Sequence, residues 1–240
     1  MSPDPALPQG QDKVAAVRSM FDAIAPRYDL LNRLLTFGLD KRWRRRSVRE
    51  LRLPAGARVY DLACGTGDLC RDLEVAGFCA VGFDLSSGML LTARKHRAAA
   101  KLRAPLVLGD ALCLPVPAAS ADGITCGFAL RNVVDLNNLF AELARVVRPD
   151  GRISLLEVAE PSNPVIRAGH RLHFGKVIPL VGGLLSDRAA YEYLPKSVAY
   201  LPPTDELLGL LAGHGFEAVD RLLLSGGIAQ LITATRKRPR

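Results

Sequence analysis

No stretch of this 240-residue chain stays apolar for the ~18 residues that a membrane-spanning helix needs; the longest near-apolar runs are Val75–Phe83 and Val177–Leu185. The opening residues, MSPDPALPQGQ, carry neither a basic head nor an apolar run, so no secretory leader is read there. Cysteine is scarce. The five residues, at positions 64, 70, 79, 113 and 126, are odd in number and contain no Cys-x-x-Cys pair. That makes a poor disulfide framework and a poor zinc site, and it suits a reducing cytoplasm. His170 and His173 have i, i+3 spacing but no third ligand nearby in sequence, so no metal site is read. At 49% hydrophobic and 23% charged residues the chain is neither disordered nor low in complexity. The expectation is one globular unit over residues 1–240.

The formal charge is +8, and its distribution says more than its size. Residues 41–52 hold seven cations (Lys41, Arg42, Arg44, Arg45, Arg46, Arg49 and Arg52) against one acid, Glu50. The tail adds Arg236, Lys237, Arg238 and Arg240, and the rest of the chain is slightly acidic. Two such patches are suited to nucleic acid, to an anionic membrane surface, or simply to water.

Residues 1–10, rich in Pro, Gly and Gln, read as disordered. Apolar residues at Val14, Val17, Met20, Phe21 and Ile24 then keep a helical period up to Pro26. A second short helix carries Leu30, Leu31, Leu34 and Leu35 and closes at Gly38, and Asp40 is placed to cap a third, basic helix containing Trp43 and Val48. Beyond residue 50 the rhythm changes to strand–helix alternation. Strands are expected at Arg58–Leu62, Cys79–Phe83, Leu106–Leu108, Gly123–Phe128 and Arg152–Val158. The intervening helices are Leu69–Ala76, a Ser86-capped helix to about Ala99, and Asn137–Val147, with Pro149-Asp150-Gly151 as the turn into the fifth strand. Residues 160–203 read as a helical insertion near the substrate site. A helix follows at Thr204–Ala212, with Thr204 as its cap. Strands at Phe216–Leu224 and Ile228–Thr235 flank Ser225-Gly226-Gly227 and must pair antiparallel. The expected fold is α/β: a doubly wound, mostly parallel seven-stranded sheet with an antiparallel edge hairpin and an N-terminal helical extension.

The strongest chemical signal is Asp61-Leu62-Ala63-Cys64-Gly65-Thr66-Gly67, followed by Asp84 and Asp110 at the ends of the next two strands. A glycine turn after a first strand lets a ligand approach the backbone and a helix N-terminus. An acid ending the second strand can take both ribose hydroxyls, and one ending the third can reach an adenine amino group. A dinucleotide fingerprint fails, because its third glycine falls at Cys70, and no Gly-Lys-Ser/Thr follows for a phosphate loop. What remains is a nucleoside site without a pyrophosphate cradle, which suits S-adenosylmethionine.

Further motifs make the reading specific. Tyr28-Asp29-Leu30-Leu31-Asn32-Arg33-Leu34-Leu35-Thr36 with Trp43, then Phe128-Ala129-Leu130-Arg131-Asn132-Val133, then Arg145-Val146-Val147-Arg148-Pro149-Asp150-Gly151 with Leu156-Glu157 resemble the signatures of the ubiquinone/menaquinone biosynthesis C-methyltransferase family. Tyr191–Ser197 resembles its insertion segment, and the resemblance runs from Val14 to Arg236. Asp40 stands where the family usually has His, Thr36 where it has Ser, and Ala159 where a Ser follows the signature glutamate by two. The resemblance implies a Rossmann-like class I S-adenosylmethionine-dependent methyltransferase that methylates a ring carbon of a polyprenyl quinol, with naphthoquinol and benzoquinol both open. A methyltransferase of another small molecule or of RNA is the alternative. Gly65, Thr66, Gly67, Asp84, Asp110, Ala111 and Gly127 are the expected cofactor-binding residues, with Thr66 nearest the methionine end. Arg131 is expected to stabilise a developing oxyanion, Asn132 to add a hydrogen bond, and Tyr28 to close the pocket. The general base is open among Asp40, Glu157, a water held by Arg131, and solvent. The expected setting is cytoplasmic, with peripheral contact between the basic segment and an anionic membrane holding the prenyl quinol. No stable nucleic-acid partner is expected, and association with a second copy is left open.

Overall fold

The computed structural model describes residues 10–172 and 197–238; the readings made for residues 1–9, Val177–Leu185, His173 and positions 191–196 lie outside them. Three helices come first: α1 (Gly10–Ile24), α2 (Tyr28–Thr36) and α3 (Asp40–Glu50). Alternation follows through β1 (Arg58–Leu62), α4 (Asp68–Val75), β2 (Cys79–Asp84), α5 (Ser87–Ala100), β3 (Leu106–Leu108), β4 (Ala121–Gly127), α6 (Leu136–Val146) and β5 (Val147–Val158). Then come α7 (Pro164–Leu172), a 3-10 turn at Ser197–Tyr200, α8 (Thr204–Gly213), β6 (Phe216–Leu224) and β7 (Ala229–Arg236).

Among the described residues one seven-stranded sheet forms in the order β3-β2-β1-β4-β5-β7-β6. Strands β1 to β5 run parallel, and β7 lies antiparallel between β5 and β6, as the short glycine-rich connection demands. Because parallel strands are covered on both faces, their apolar residues divide between two cores. On one face Tyr60, Leu62 and Ile124 pack with Phe140 and Leu143 of α6 and Leu207 and Leu211 of α8. On the other, Val59 and Ala80 pack with Val48, Leu51, Leu73 and Leu90 from α3, its C-terminal end, α4 and α5. The chain moves outward from β1 through β2 to β3, then returns across β1 to lay down β4. Connections therefore leave in opposite directions at the β1–β4 boundary, and a crevice opens there above the carboxyl ends of the strands.

Some local readings need correction. Strand β5 begins at Val147 rather than Arg152, because Val147 pairs with Ala121 and the register then shifts. Pro149-Asp150-Gly151 is thus a bulge inside the strand. At Gly151 a side chain would stand 2.8 Å from the carbonyl oxygens of both Arg148 and Asp122. Pro203, not Thr204, holds the position before α8. Ser86 does cap α5, accepting the Met89 N–H at 3.1 Å.

Asp40 does not cap α3 either. It lies inside the first turn, 2% exposed, and binds the buried Arg44 guanidinium and the Thr36 hydroxyl (2.9 Å). Arg44 also meets Asp68 at 2.8 Å and Asp72 at 3.2 Å, so one cation holds three carboxylates and fastens α3 to α4. Arg46 and Arg52 both pair with Glu50. This divides the basic segment: Lys41, Arg42, Arg45 and Arg49 stand exposed along one side of α3, with no ion pair among the described residues.

Candidate active site

Each strand that ends at the crevice delivers a chemically distinct group. After β1 the backbone turns through Ala63 (φ +50°), Gly65 (φ +54°) and Gly67 (φ +83°) into α4. At the end of β2, Asp84 uses both oxygens on main-chain donors: Oδ2 accepts the Gly65 N–H at 2.7 Å and Oδ1 the Ser86 N–H at 2.8 Å. Burial pushes its carboxyl up from the ordinary range, these two N–H groups pull it down, and the nearby Asp22 charge pushes it up again. Beyond β3, Asp110 accepts the Leu112 N–H at 2.9 Å. At the end of β4, the space that a side chain on Gly127 would occupy is empty to 4 Å.

Helix α1 roofs these groups. Its Val14, Val17 and Phe21 close a cleft of about 900 Å³, partly open to solvent, above Gly65, Asp84, Asp110, Ala111 and Gly127. Tyr28 and Asn132 line the same cleft. The Tyr28 ring lies edge-on to Phe21, and burial pushes its phenol up, against a hydrogen bond from Asn32 and the charge of Arg131. It stays a protonated hydrogen-bonding group, not a base.

The roof is tied at both ends. Asp22 Oδ1 accepts the Ser86 hydroxyl at 2.6 Å and the Gly88 N–H at 2.8 Å, which holds α1 against the start of α5. The approach is so close that a side chain at Gly88 would meet Asp22 atoms at 3.0–3.1 Å. At the other end the Lys13 ammonium, 4% exposed, donates to the carbonyls of Arg131 and Val133, both at 3.0 Å. Burial pushes it down to about 8. Neither Lys13 nor Asp22 was singled out from the sequence. The apolar period of α1 marks a buried face, and nothing in one chain tells which surface that face covers.

Three expected site residues lie elsewhere. Thr66 and Gly67 are absent from the lining of the cleft; the Thr66 hydroxyl donates to Asp29 Oδ1 at 2.5 Å, and His96 Nδ1 is 3.3 Å from the other oxygen of Asp29. The turn after β1 thus presents Gly65 to the cleft and Thr66 to α2. Arg131 is also absent from that lining. Its guanidinium pairs with the fully buried Glu157 and binds the Phe128 carbonyl (2.8 Å) and the Ser197 hydroxyl (3.1 Å). A buried carboxylate without a counter-charge is costly, and this one claims the nearest cation. Glu157 is consequently engaged and Asp40 sits in the Arg44 cluster, so neither faces the cleft as a base.

The comparisons with known proteins bear on this geometry. The model of the ubiE/COQ5 methyltransferase family matches residues 9–236. The chain belongs to that family. A relative from Syntrophotalea carbinolica, named ubiquinone/menaquinone biosynthesis C-methyltransferase UbiE, is 42% identical over 96% of each chain. One from Deinococcus radiodurans, named demethylmenaquinone methyltransferase, is 42% identical over 92% of this chain and 93% of its own. Among solved structures, a putative S-adenosylmethionine-dependent methyltransferase from Methanococcus maripaludis superimposes with TM-score 0.66 at 18% identity, covering 90% of this chain and 93% of its own. The [4+2]-cyclase SpnF superimposes with TM-score 0.69 at 18% identity over the whole of both chains. At such identity the likeness is one of fold, and a cyclase shares it; the family match is what makes this chain an S-adenosylmethionine-dependent methyltransferase. The cleft fits that cofactor: a carboxylate ends β2, a second acid follows β3, and the glycine at the end of β4 leaves open space.

Beneath the turn, Asp61 of β1 is 1% exposed, with Oδ1 accepting from Thr125 Oγ1 at 2.8 Å and Oδ2 from Cys70 Sγ at 3.4 Å. Burial, chiefly, raises its carboxyl from 3.8 to about 7. Between those pH values the folded chain holds a proton that the unfolded chain lacks. The stability that this group contributes is therefore complete below about pH 4 and lost as the pH rises through 7. A carbon-13 titration of the Asp61 carboxyl should show a midpoint near 7, and Asp61→Asn should flatten the fall in urea-unfolding stability between pH 4 and 7.

Proposed function

We propose that the enzyme transfers a methyl group to a ring carbon of a prenyl quinol, a reaction consistent with relatives named for C-methylation in quinone biosynthesis and for demethylmenaquinone methylation. The observation that carries this reading is the cleft itself: nucleoside-type acids on its floor and an apolar roof of Val14, Val17 and Phe21, which suits a ring acceptor. When bound, S-adenosylmethionine supplies an electrophilic methyl on a sulfonium. Asp84 is assigned to the ribose hydroxyls, Asp110 and Ala111 to the adenine, and Gly65 and Gly127 to close backbone approach. An electrophilic methyl needs an electron-rich acceptor. A quinone ring carbon is electron-poor, whereas a quinol carbon beside a hydroxyl gains density as that hydroxyl loses its proton. The protein's tasks are to align the ring, exclude water and favour the phenolate. Tyr28 and Asn132, which reach the cleft, are assigned to hydrogen-bond the acceptor oxygen. Arg131 acts at one remove, through the loop that it ties to Glu157.

Membrane contact follows from where such an acceptor resides. Among the described residues no helix is long and apolar enough to cross a membrane. The exposed cations Lys41, Arg42, Arg45 and Arg49 line a groove with Arg33 and Arg71. Helix α2 places Tyr28 on the cleft and Arg33 on this groove, so the two surfaces adjoin. Basic side chains near an anionic bilayer contribute about 1 kcal/mol each. RNA needs stacking aromatics beside its cations, and Trp43 is buried with its indole N–H on the Ser225 hydroxyl (2.9 Å).

Three outcomes test these assignments. With purified enzyme and a demethylated prenyl quinol, mass spectrometry should find a product with a methyl in place of a ring hydrogen, a net gain of CH2, and none from the oxidised quinone; equal activity on both would overturn the mechanism. Calorimetry on Asp84→Ala should show S-adenosylmethionine affinity reduced by roughly ten- to hundredfold, since hydrogen bonds to a charged group are worth ~1.5–3 kcal/mol. In liposome sedimentation, binding should rise with anionic lipid, fall with salt, and drop in the Lys41→Glu/Arg45→Glu variant. Binding indifferent to all three rules out electrostatic docking.

A further inference from the structure

Lys13 is buried on α1, and among the described residues its charge is met by carbonyls and a ring face rather than by a carboxylate. Its two carbonyl partners belong to Arg131 and Val133, the residues on either side of Asn132. The third direction of the ammonium is filled by the Tyr200 ring, whose centroid is 3.7 Å from Nζ. Three segments distant in sequence therefore converge on one nitrogen: the roof helix, the loop after β4, and the 3-10 turn that closes the insertion. Leu130–Asn132 is itself a single 3-10 turn, held by the Asn132 N–H on the Ala129 carbonyl (2.8 Å) and the Val133 N–H on the Leu130 carbonyl (3.2 Å). Carbonyls at the C-terminal end of such a turn point outward without partners and attract a cation. Ser197, in the same 3-10 turn as Tyr200, reaches this loop from another side through its hydrogen bond with Arg131 Nε.

We infer that Lys13 is a positioning residue for methyl transfer: through the carbonyls flanking Asn132 it sets the depth at which that side chain enters the cleft, and so couples closure of the α1 roof to placement of the acceptor-side loop. Lys13 itself does not line the cleft. Asp22 holds the opposite end of α1 against Ser86 and Gly88 on the cofactor side. The two ends thus divide the work, with one serving the floor at β2 and the other the loop after β4. The inference rests on the methyltransferase reading and on the position of Asn132, not on the identity of the quinol.

Hydrogen exchange and kinetics on the full chain test it. In Lys13→Met, the amides of Asn132 and Val133 should exchange at least tenfold faster than in the wild type, while those of Ser86 to Met89 keep their rates. With the quinol acceptor, kcat should fall tenfold or more while the Kd for S-adenosylhomocysteine stays within threefold. Lys13→Arg, which keeps the charge and the donors, should recover most of the turnover. Faster exchange at both ends of α1 together, or a lowered melting temperature with unchanged kcat and unchanged exchange at Asn132, overturns the proposal. Should Lys13→Met fail to fold, Tyr200→Leu carries the same comparison: exchange at Asn132 and Val133 at least threefold faster supports it, and unchanged exchange overturns it. Exchange needs no substrate, so an enzyme that turns over no quinol in wild-type form would sink the quinol reading and leave this one standing on its own measurement.

Discussion

Two neighbouring parallel strands whose connections depart in opposite directions cannot both be covered at their carboxyl ends, and that uncovered boundary between β1 and β4 governs the rest of the molecule. The main-chain N–H groups there need acceptors. Asp84 supplies one for Gly65 and one for Ser86, which locks the turn after β1 to the turn after β2. The apolar walls need a cover, and α1 supplies it with Val14, Val17 and Phe21. Helix α2 then enters beside the cleft at Tyr28, and α3 is drawn onto α4 by Arg44. The N-terminal extension is therefore the missing wall of the crevice, not an appendage to the sheet.

Charge inside the protein is sorted by who can be neutralised. Arg131 and Glu157 satisfy each other in the interior, and Arg44 gathers Asp40, Asp68 and Asp72. Both clusters engage their cations outside the cleft, where Asp84 and Asp110 lie below and Arg18 of α1 reaches the rim above. A positively charged cofactor in this cleft faces carboxylates, while Tyr28 and Asn132 offer neutral hydrogen-bonding groups in the same lining.

Much of the frame was legible because period and punctuation are local. The strands Arg58–Leu62 and Leu106–Leu108 and the Ser86 cap follow from neighbours within a few residues. The early start of β5 was not legible, since a bulge at Asp150-Gly151 reads like a turn until its partner strand is known. Side-chain direction was harder still. Gly65 and Thr66 are adjacent, yet one faces the cleft and the other Asp29, and the αL backbone of the turn decides which. The position of Arg131 just after β4 was legible, but its pairing with Glu157 was not, because that carboxylate lies twenty-six residues away. Lys13 and Asp22 carried no local signal at all, as their partners lie across the fold.

At Gly88 the seam between α1 and α5 is closed to within the thickness of a methyl group. The hydrogen bonds from Ser86 and Gly88 to Asp22 can form here because an atom is absent from residue 88. A sequence drifting at this site meets no gentle slope: the smallest chiral side chain presses on Asp22 and on the backbone of α1 together. Any larger residue here needs Asp22 to give by a few tenths of an ångström, and the ceiling that α1 lays over the cleft moves with it.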